Sequence, residues 1–553
     1  MPENQDWNNQ LYYGDNLHVL REHVADESVD LIYLDPPFNS NATYNVLFGE
    51  KNGSQSQAQI TAFDDTWHWG EESEQTYRVV VTEGWKKLAD LLQALRSFLG
   101  QNDMMAYLVM MAARLAELHR VLKSTGSIFL HCDPTASHYL KVLMDSIFDV
   151  CNFRNEIVWQ RSGAHNFPTR ALVRTNDIIL FYSKTNDFFF KTLFTEYGPE
   201  QLSRFRPDEK GRLYKAENLT FSTPNKARQF EWRGTRPAAN RSWGADIEQL
   251  ESWWAEGRIL KKRDGTPRLD GLKIYFDETK GKPLTTNWVD IPRIGNTSSE
   301  RLGYPTQKPE ALLDRILSMG SNKFDVVLDP FCGCGTTVNV AERLHRRWIG
   351  IDITHLAIAL IRNRLHDTFG NELSPYEVLG APKYVASAKT LAEQDRYQFE
   401  WWALSLVDAR PAQDKKKGSD SGIDGFINFF DDGSGRAKKI IVQVKSGNVT
   451  TSQIRDLKAV VEREKAVIGA FVTLNPSTKP MKEEALSAGY YVPELLGKEH
   501  DSPKIQILTI ADLLSGAKLK YPRLAVTTFK KAARKHKDPN PTQENCFDDN
   551  ELP

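Results

Sequence analysis

The chain has 553 residues, too many for one hydrophobic core, so two to four domains are expected. Its 26% charged and 40% hydrophobic residues are ordinary for a globular protein, and the formal net charge of −1 excludes a basic chain that binds nucleic acid over its whole surface. Five cysteines in no paired framework, a polar N-terminal segment and the lack of a long apolar run predict a reduced, cytoplasmic protein without signal peptide or membrane partner.

The first part of the chain, residues 1–187, alternates short apolar runs with segments of helical periodicity. Strands are predicted over 29–34, 127–131, 156–160 and 177–182, and helices over 71–122 and 135–148. This alternation is typical of an α/β layered core.

The alternation breaks over residues 188–300, which are rich in Arg, Lys, Trp, Asn and Gly, and returns over 301–380. Helices are predicted there over 309–318 and 336–345, and strands over 326–331 and 348–352. Residues 371–395 are predicted to be a connector, 396–515 a second domain, and the polar segment 530–553 a disordered tail.

The apolar strand that ends at Leu34 runs into the turn Asp35-Pro36-Pro37-Phe38. The Asp35 carboxylate and the Pro36 carbonyl oxygen can accept the hydrogens of an amino group, and Pro37 stiffens the turn. Phe38 offers a ring face on which a base can stack. An amine conjugated with a heteroaromatic ring is a poor nucleophile, so such acceptors help by localising its lone pair. The alternative interpretation is a plain turn after a buried strand.

A glycine-containing turn follows the predicted strand at 326–331. Gly333 and Gly335 allow a cofactor to lie against the backbone, and Asp352, at the end of the next strand, suits a ribose diol. By itself this pattern also fits a nucleotide loop or a simple strand–helix connection. The candidate cofactor residues here are Asp329, Phe331, Gly333, Gly335, Thr336 and Asp352.

Together, the two turns resemble the acceptor and S-adenosylmethionine (AdoMet) sites of the amino-methylating DNA methyltransferases, over residues 11–360. The resemblance implies a Rossmann-like, seven-stranded α/β sheet with an inserted target-recognition region, and a target base that leaves the duplex. Segment 304–309, with Thr306 and Lys308, looks like the part of the family that closes over AdoMet. Asp15 matches an acidic position near the cofactor's adenine, the alternative being a helix-cap aspartate.

The acceptor turn precedes the cofactor turn along the chain, and this order resembles the circularly permuted beta group of the family. The resemblance favours adenine N6 as the methylated atom, because relatives that act on cytosine N4 more often carry serine at the position of Asp35. The expected activity is site-specific methylation of double-stranded DNA, with a cytosine-N4 enzyme as the alternative.

Residues 188–300 are predicted to read the DNA sequence, because basic side chains that contact phosphates and guanine edges alternate there with tryptophans. A solvated charged face is the alternative for any single arginine. Segment 39–70, with Asn39, Asn41, Tyr44 and Phe63–Trp67, is predicted to border the acceptor pocket. The candidate DNA-contacting residues are Arg204, Arg206, Lys210, Arg212, Lys215, Lys226, Arg228, Arg233, Arg236 and Arg241, with Trp232, Trp243 and Trp254.

The C-terminal domain carries a second set of candidate residues. Asp424 precedes a strand, and Gln443 and Lys445 share one face of the return strand because side chains alternate along strands. With Glu400 from a preceding helix, they resemble the Mrr-like branch of restriction endonucleases, in which glutamine replaces the second acid. The resemblance implies Mg²⁺ at Asp424 and Glu400 and a lysine near the scissile phosphate. The alternatives are unrelated loop and strand residues, or a nuclease fold that only binds DNA.

The leading hypothesis is therefore a bifunctional restriction–modification protein that methylates adenine and cleaves DNA. A solitary methyltransferase with a C-terminal DNA clamp is the alternative. A homodimer that uses segment 71–122 and a partner restriction subunit are further hypotheses, the latter because the chain shows no phosphate-binding loop of an ATP motor.

Overall fold

The computed structural model describes residues 8–37, 43–49, 55–64, 68–163, 170, 172–295, 297–302, 304, 306–412, 422–430, 437–493, 501–522 and 525–526. The chain divides into two compact units: Met1–Lys191 with Thr286–Pro539 form one, and Thr192–Thr285 belong to the other. None of the described helices combines the length and the apolar character that crossing a lipid bilayer demands.

The N-terminal part of the first unit contains seven described strands and five helices. The strands are β1 (Asn9–Tyr13), β2 (Val29–Leu34), β3 (Thr43–Gly49), β4 (Gln55–Asp64), β5 (Leu122–Cys132), β6 (Phe153–Gln160) and β7 (Asn176–Ser183), and the helices are α1 (Asn16–His23), α2 (Glu71–Glu83), α3 (Lys86–Leu99), α4 (Asp103–Val121) and α5 (Ser137–Phe148). The continuous helical stretch predicted over 71–122 was wrong, because Gly84 and Gly100 each end a helix.

The second unit is mainly antiparallel. Its elements are β8 (Phe194–Thr195), α6 (Pro199–Leu202), β9 (Arg206–Pro207), β10 (Leu213–Glu217), β11 (Thr220–Phe221), β12 (Ser242–Trp243), α7 (Ile247–Ala255), β13 (Ile259–Lys261), β14 (Pro267–Tyr275) and β15 (Lys282–Pro283). A four-stranded sheet has the order β13-β14-β10-β9, and its small core includes Trp232, Trp243 and Leu250.

The first unit then resumes with the elements that contain the glycine turn. They are β16 (Asn287–Trp288), α8 (Glu310–Gly320), β17 (Val326–Asp329), α9 (Thr336–Arg343), β18 (Arg347–Asp352), α10 (His355–Phe369), β19 (Tyr376–Leu379) and α11 (Val385–Gln394). The connector predicted over 371–395 was wrong, because β19 pairs with β1 and α11 packs against the next helix.

One mixed sheet of nine strands forms the framework of this unit, in the order β16-β6-β7-β5-β2-β17-β18-β1-β19. Strands β5, β2, β17, β18 and β1 run parallel, whereas β7 is antiparallel to both of its neighbours. The predicted count of seven was too low by two. The two edge strands β16 and β19 are short and are not continuous apolar runs, so the sequence gives no clear signal that they pair with the sheet.

The C-terminal part of the first unit has its own six-stranded sheet, with β20-β21-β22-β23-β26 in order and β27 paired with β21. Its elements are α12 (Arg396–Ser405), β20 (Arg410–Pro411), β21 (Gly425–Phe430), β22 (Lys438–Lys445), α13 (Thr451–Arg463), β23 (Ile468–Thr473), α14 (Lys479–Leu486), β24 (Tyr490–Tyr491), β25 (Ser502–Pro503), β26 (Ile505–Thr509), α15 (Ile510–Leu514) and β27 (Ala525–Val526). The predicted tail at 530–553 lies outside the described residues.

Candidate active site

The strands that carry the acceptor turn and the glycine turn are direct neighbours. Strand β2 pairs in parallel with β17, with Leu31 opposite Val327 and Ile32 opposite Leu328. Because parallel neighbours end at the same edge of a sheet, the two turns open side by side. Residues almost three hundred positions apart in the sequence therefore meet at one place.

A cavity of about 270 Å³ opens at this edge. Its lining contains most of the predicted site residues together with several that the sequence did not single out. The predicted ones are Asp15, Asp35, Pro36, Pro37, Thr306, Lys308, Asp329, Phe331, Gly333, Thr336 and Asp352, and the additional ones include Tyr33, Arg114, Tyr304 and Thr337. Gly335 lies in the turn but not in the lining, and Phe38 lies outside the described residues.

The glycine turn depends on backbone conformations that residues with a side chain rarely adopt. Gly333 has φ +50° and Gly335 has φ +74°, and the Gly335 N–H donates to the Cys332 carbonyl oxygen at 2.7 Å. A Cβ at Gly333 would lie 3.1 Å from the Tyr304 ring, and one at Gly335 would lie 2.7 Å from Ile361 Cγ1. Both positions thus require glycine for conformation as well as for space.

Two carboxylates flank this turn, the buried Asp329 and the partly buried Asp352. Asp352 accepts hydrogen bonds from the Gly333 N–H at 2.9 Å and the Thr354 N–H at 2.8 Å, and burial raises its pKa to about 6. Burial raises the pKa of Asp329 to about 7, although Asp329 accepts a hydrogen bond from the Phe331 N–H at 3.0 Å. A cationic ligand would relieve part of this cost by supplying opposite charge.

These features fit AdoMet, which is a cation with an adenosine group. Asp352 and Asp329 supply negative charge, and the side-chain-free Gly333 leaves room beside the Tyr304 ring. Thr306 and Asp15 complete the side of the cavity predicted for the cofactor. AdoMet would supply an electrophilic methyl group at this place.

Asp15 has the role that the alternative interpretation gave it, and it also lines the cavity. Its side chain caps α1 by accepting from the Leu17 and His18 N–H groups. The buried Arg114 donates to Asp15 at 2.6 Å and to Asn16 at 2.5 Å. Sequence reasoning missed Arg114, although a charged residue within the apolar run of α4 was a usable signal.

Lys308 lies on the acceptor side of the cavity. Its ammonium forms an ion pair with the Asp35 carboxylate, and both side chains are at most 15% exposed. The sequence assigned Lys308 to the segment closing over the cofactor, whereas the structure joins it to the predicted acceptor residue. The predicted border at 39–70 includes the hairpin β3–β4, while Asn39, Asn41 and residues 65–67 lie outside the described residues.

Several of the basic residues predicted to contact DNA have partners within the second unit. Arg212 pairs with Asp277, Arg233 pairs with Glu251, and Arg241 donates to the Thr220 carbonyl oxygen at 2.5 Å. Arg204, Lys215 and Arg228 likewise have partners within the chain.

The prediction of DNA contact is wrong for two of the tryptophans. Trp232 and Trp243 are 3% and 1% exposed, so they belong to the core and cannot stack on DNA. Among the described residues of this unit, Lys210, Lys226 and Arg236 are exposed and make no ion pair with an acidic side chain.

The C-terminal candidates come together in part. Lys445 Nζ lies 3.6 Å from Asp424 Oδ2, which also accepts from the Val444 N–H at 2.7 Å. The Gln443 side-chain amide donates to the Gly422 carbonyl oxygen, and Glu400 lies buried on α12. Within the described part of the chain, no group of three or more His, Cys, Asp or Glu side chains is arranged to hold a metal ion, so the predicted Mg²⁺ site lacks support.

Two family models match the chain. The model described as DNA methylase, for N6 and N4 methyltransferases, matches residues 29–363, which is more than half of the sequence. The model described as NACHT-associated inactive restriction endonuclease 1 matches residues 397–515. The chain is also similar to a Type II methyltransferase, M.EcaI from Enterobacter cloacae, at 28% identity over 64% of this chain and 69% of that protein.

The Mod subunit of the Type III restriction-modification enzyme StyLTI, from Salmonella typhimurium, is 27% identical over 62% of this chain. The matched region spans about half of that relative, 51% of its length. Among solved structures, a DNA modification methylase of Thermus thermophilus complexed with S-adenosyl-L-methionine is 17% identical, with a TM-score of 0.31, over 67% of this chain and 99% of that one.

Proposed function

We propose that this chain, which belongs to the DNA methylase family, transfers the methyl group of AdoMet to the N6 amino group of an adenine in double-stranded DNA. The observation that carries the proposal is the single cavity that contains both Asp35 and the glycine turn. An acceptor for amino hydrogens and a binding surface for a cationic methyl donor are the two parts that the reaction needs at close range.

In this proposal each side chain has a limited task. The Asp35 carboxylate and the Pro36 carbonyl oxygen accept the amino hydrogens and so localise the nitrogen lone pair. Lys308 holds the Asp35 carboxylate in place through their ion pair. Asp352 and Asp329 bind the cofactor, whose chemical contribution is the methyl group. The base reaches the cavity only after leaving the duplex, because base pairing otherwise occupies its amino group.

Asp35 at the acceptor position favours adenine over cytosine, and the order of the two turns along the chain favours the beta group. Methylating a DNA library in vitro, digesting it to nucleosides and separating these by mass spectrometry tests the choice of base. N6-methyladenine is the expected product. N4-methylcytosine would replace the adenine assignment and leave the acceptor chemistry intact.

The decisive variant is Asp35→Ala. It removes the carboxylate that accepts the amino hydrogen, so we expect methyl transfer to fall by at least about 10²-fold while AdoMet affinity stays within about threefold. Asp133→Ala is a matched control, since Asp133 also follows a central strand and precedes a proline but lies outside the cavity lining. Undiminished methylation by Asp35→Ala would refute the acceptor role.

The relative named as a Mod subunit supports the proposal that this chain acts in a restriction–modification system with a partner restriction subunit. A homodimer through segment 71–122 remains a separate proposal. Sedimentation of the purified chain, alone and with a short DNA substrate, measures the mass of the protein that binds DNA. The mass of two chains would support the homodimer, and the mass of one chain would contradict it.

For the C-terminal module we propose DNA binding without cleavage, which was the alternative hypothesis. The matching family is described as inactive, and Asp424 already shares one oxygen with the Lys445 ammonium and the Val444 N–H. Gln443 brings no negative charge, so little remains to attract Mg²⁺. The Asp424, Gln443 and Lys445 cluster is nevertheless what a cleaving enzyme would use, and it keeps nuclease activity as the second candidate.

Incubation of the full chain with Mg²⁺ or Mn²⁺ and unmethylated supercoiled plasmid separates the two candidates. We expect no nicking, with DNA affinity lowered when the module is altered by Lys445→Ala. Nicking that disappears in both Lys445→Ala and Asp424→Ala would instead establish the bifunctional enzyme. Nicking that persists in both variants would indicate a contaminating nuclease.

A further inference from the structure

A buried chain of hydrogen bonds leads away from the cavity. The Tyr33 hydroxyl lies 2.9 Å from His131 Nδ1, and His131 Nε2 lies 3.2 Å from Asp177 Oδ2. Tyr33, His131 and Asp177 are 2%, 0% and 1% exposed. Arg161 Nε lies 3.3 Å from the other Asp177 oxygen. Buried polar groups are costly unless they are paired, so a connected set of this kind beside the acceptor turn calls for a role.

The register of the sheet places Tyr33, His131 and Asp177 next to the acceptor turn. Tyr33 lies in β2, two residues before Asp35, and both residues line the cavity. Tyr33 is opposite Phe129 on β5, so His131 projects from the same face one step further along. The rings of Tyr33 and Trp159 meet that of His131 edge to face, at 6.2 and 5.6 Å, and fix its plane.

The direction of the hydrogen bonds follows from Asp177. Burial alone would raise the pKa of Asp177, but the hydrogen bond and the charge of His131, and then the charges of Lys308 and Arg161, lower it. Ionised Asp177 only accepts, so His131 Nε2–H donates to it. In the neutral imidazole, Nδ1 is then an acceptor, and the Tyr33 hydroxyl donates to it. Tyr33 is also one of the residues that line the cavity.

We propose that Tyr33, His131 and Asp177 form the relay that receives the proton released from the amino group after methylation. Tyr33 lines the cavity, His131 stores the proton, and Asp177 orients the imidazole and stabilises its charged form. The arrangement follows the logic of a hydroxyl–histidine–aspartate triad, with the hydroxyl carrying a proton instead of attacking. The inference rests on the proposed methyl transfer and specifies where its proton goes.

The atoms balance as follows. The amino nitrogen forms a bond to the methyl carbon as the donor's carbon–sulfur bond breaks, sulfur keeps the electron pair, and the nitrogen retains two hydrogens and a positive charge. One of these protons moves to the Tyr33 oxygen while the Tyr33 proton moves to His131 Nδ1. His131 becomes an imidazolium beside the Asp177 carboxylate. Reversal of the relay returns the proton to water once the product has left.

The first test needs no catalysis. In the full-length, cofactor-free chain labelled with ¹⁵N-histidine, His131 is identified by the signal that disappears in His131→Asn. The relay predicts the tautomer with the proton on Nε2, and a shift of the Nδ1 signal in Tyr33→Phe. The opposite tautomer, or no response to Tyr33→Phe, would overturn the relay.

The second test separates proton transfer from positioning. Asparagine at position 131 keeps an oxygen near the Nδ1 position for the Tyr33 hydroxyl, but it cannot store a proton. We expect single-turnover methylation to fall by about 10²-fold in both Tyr33→Phe and His131→Asn, with AdoMet affinity and DNA affinity unchanged. Tyr182→Phe is the matched control, because its hydroxyl donates to Asp145 at 2.7 Å outside the cavity.

If His131→Asn kept full activity while Tyr33→Phe was slow, the three hydrogen-bonded residues would only position the reacting groups, and the proposed proton transfer would be overturned. Full activity of both variants would remove any role in the reaction. Failure of the wild-type chain to methylate any DNA, together with the expected histidine tautomer, would count against the proposed function and not against the geometry of the relay.

Discussion

Alanine at position 335 tests whether backbone geometry holds the cofactor turn. Gly335 has φ +74° at the start of α9, and an added Cβ would lie 2.7 Å from Ile361 Cγ1 and 3.2 Å from its Cγ2. A non-glycine residue in the left-handed region costs about 1 kcal/mol, and overpacking of a buried site costs about 1–3 kcal/mol. We therefore expect Gly335→Ala to lower the free energy of unfolding by about 2–4 kcal/mol.

Gly489→Ala isolates the conformational part of this cost, because Gly489 has the same φ of +74° but no atom within 4 Å of the added Cβ. It should cost only about 1 kcal/mol. The overlap is tested with Ile361→Ala, which removes both crowding carbons and leaves a cavity of its own. In the double variant the added methyl group of the alanine at position 335 fills part of the space that Ile361→Ala leaves. We therefore expect a coupling free energy of about 1–3 kcal/mol between the two substitutions.

Urea unfolding of the full chain is monitored by amide hydrogen exchange, in segment 326–343 for Gly335→Ala and Ile361→Ala and in segment 479–491 for the control Gly489→Ala, so that each region is measured where its variant lies. AdoMet affinity, measured by calorimetry on the same variants, should fall in Gly335→Ala and recover in part in the double variant with Ile361→Ala. Effects that add within about 0.5 kcal/mol would show that the overlap does not exist and would refute the reasoning.

Four further predictions concern charge. Lys308→Met should slow methylation by about 10-fold or more, because Asp35 loses its ion-pair partner, while AdoMet affinity stays within about twofold. An equal loss of methylation rate and AdoMet affinity would contradict the position of Lys308 on the acceptor side of the cavity. The pKa of Asp352 is raised to about 6 and that of Asp329 to about 7, whereas the pKa of an aspartate in the unfolded chain is about 3.9. The folded chain therefore keeps these protons to a higher pH than the unfolded chain does. The free energy of unfolding of the cofactor-free chain should fall as pH rises from about 4 to about 7. Affinity for cationic AdoMet should rise between about pH 5 and 8, and a flat titration by calorimetry would contradict this. Arg236→Ala should weaken DNA binding and reduce the salt dependence by about one ion, and an unchanged slope would remove Arg236 from the interface.

The central strands were predictable because a strand buried on both faces is a continuous apolar run, and the acid or glycine after it marks where the run ends. Strands β2 and β17 show this pattern clearly. The edge strands β16 and β19 do not, since a strand of two or four residues owes its existence to the neighbour with which it pairs. Gly84 and Gly100 were visible in the sequence, yet the apolar periodicity on either side concealed the breaks.

The shared cavity was predictable from chemistry, because the two turns contain complementary groups. The partners of those groups were not. Arg114 reaches Asp15, and His131 reaches Tyr33, only through the packing of α4 and β5 against the first strands. In the second unit, composition could not distinguish an arginine that pairs with a neighbouring acid, such as Arg212, from one that is exposed and available to DNA.

The separation of the two turns along the chain also explains why a whole unit can lie between them. The cavity forms only when β17 pairs with β2, and the chain has by then passed through β5, β6, β7 and the unit Thr192–Thr285. The entropic cost of closing a loop rises by only about 0.6 kcal/mol for each doubling of its length. The second unit can therefore change in size and in sequence at little cost to the β2–β17 pair, provided that β17 still pairs with β2.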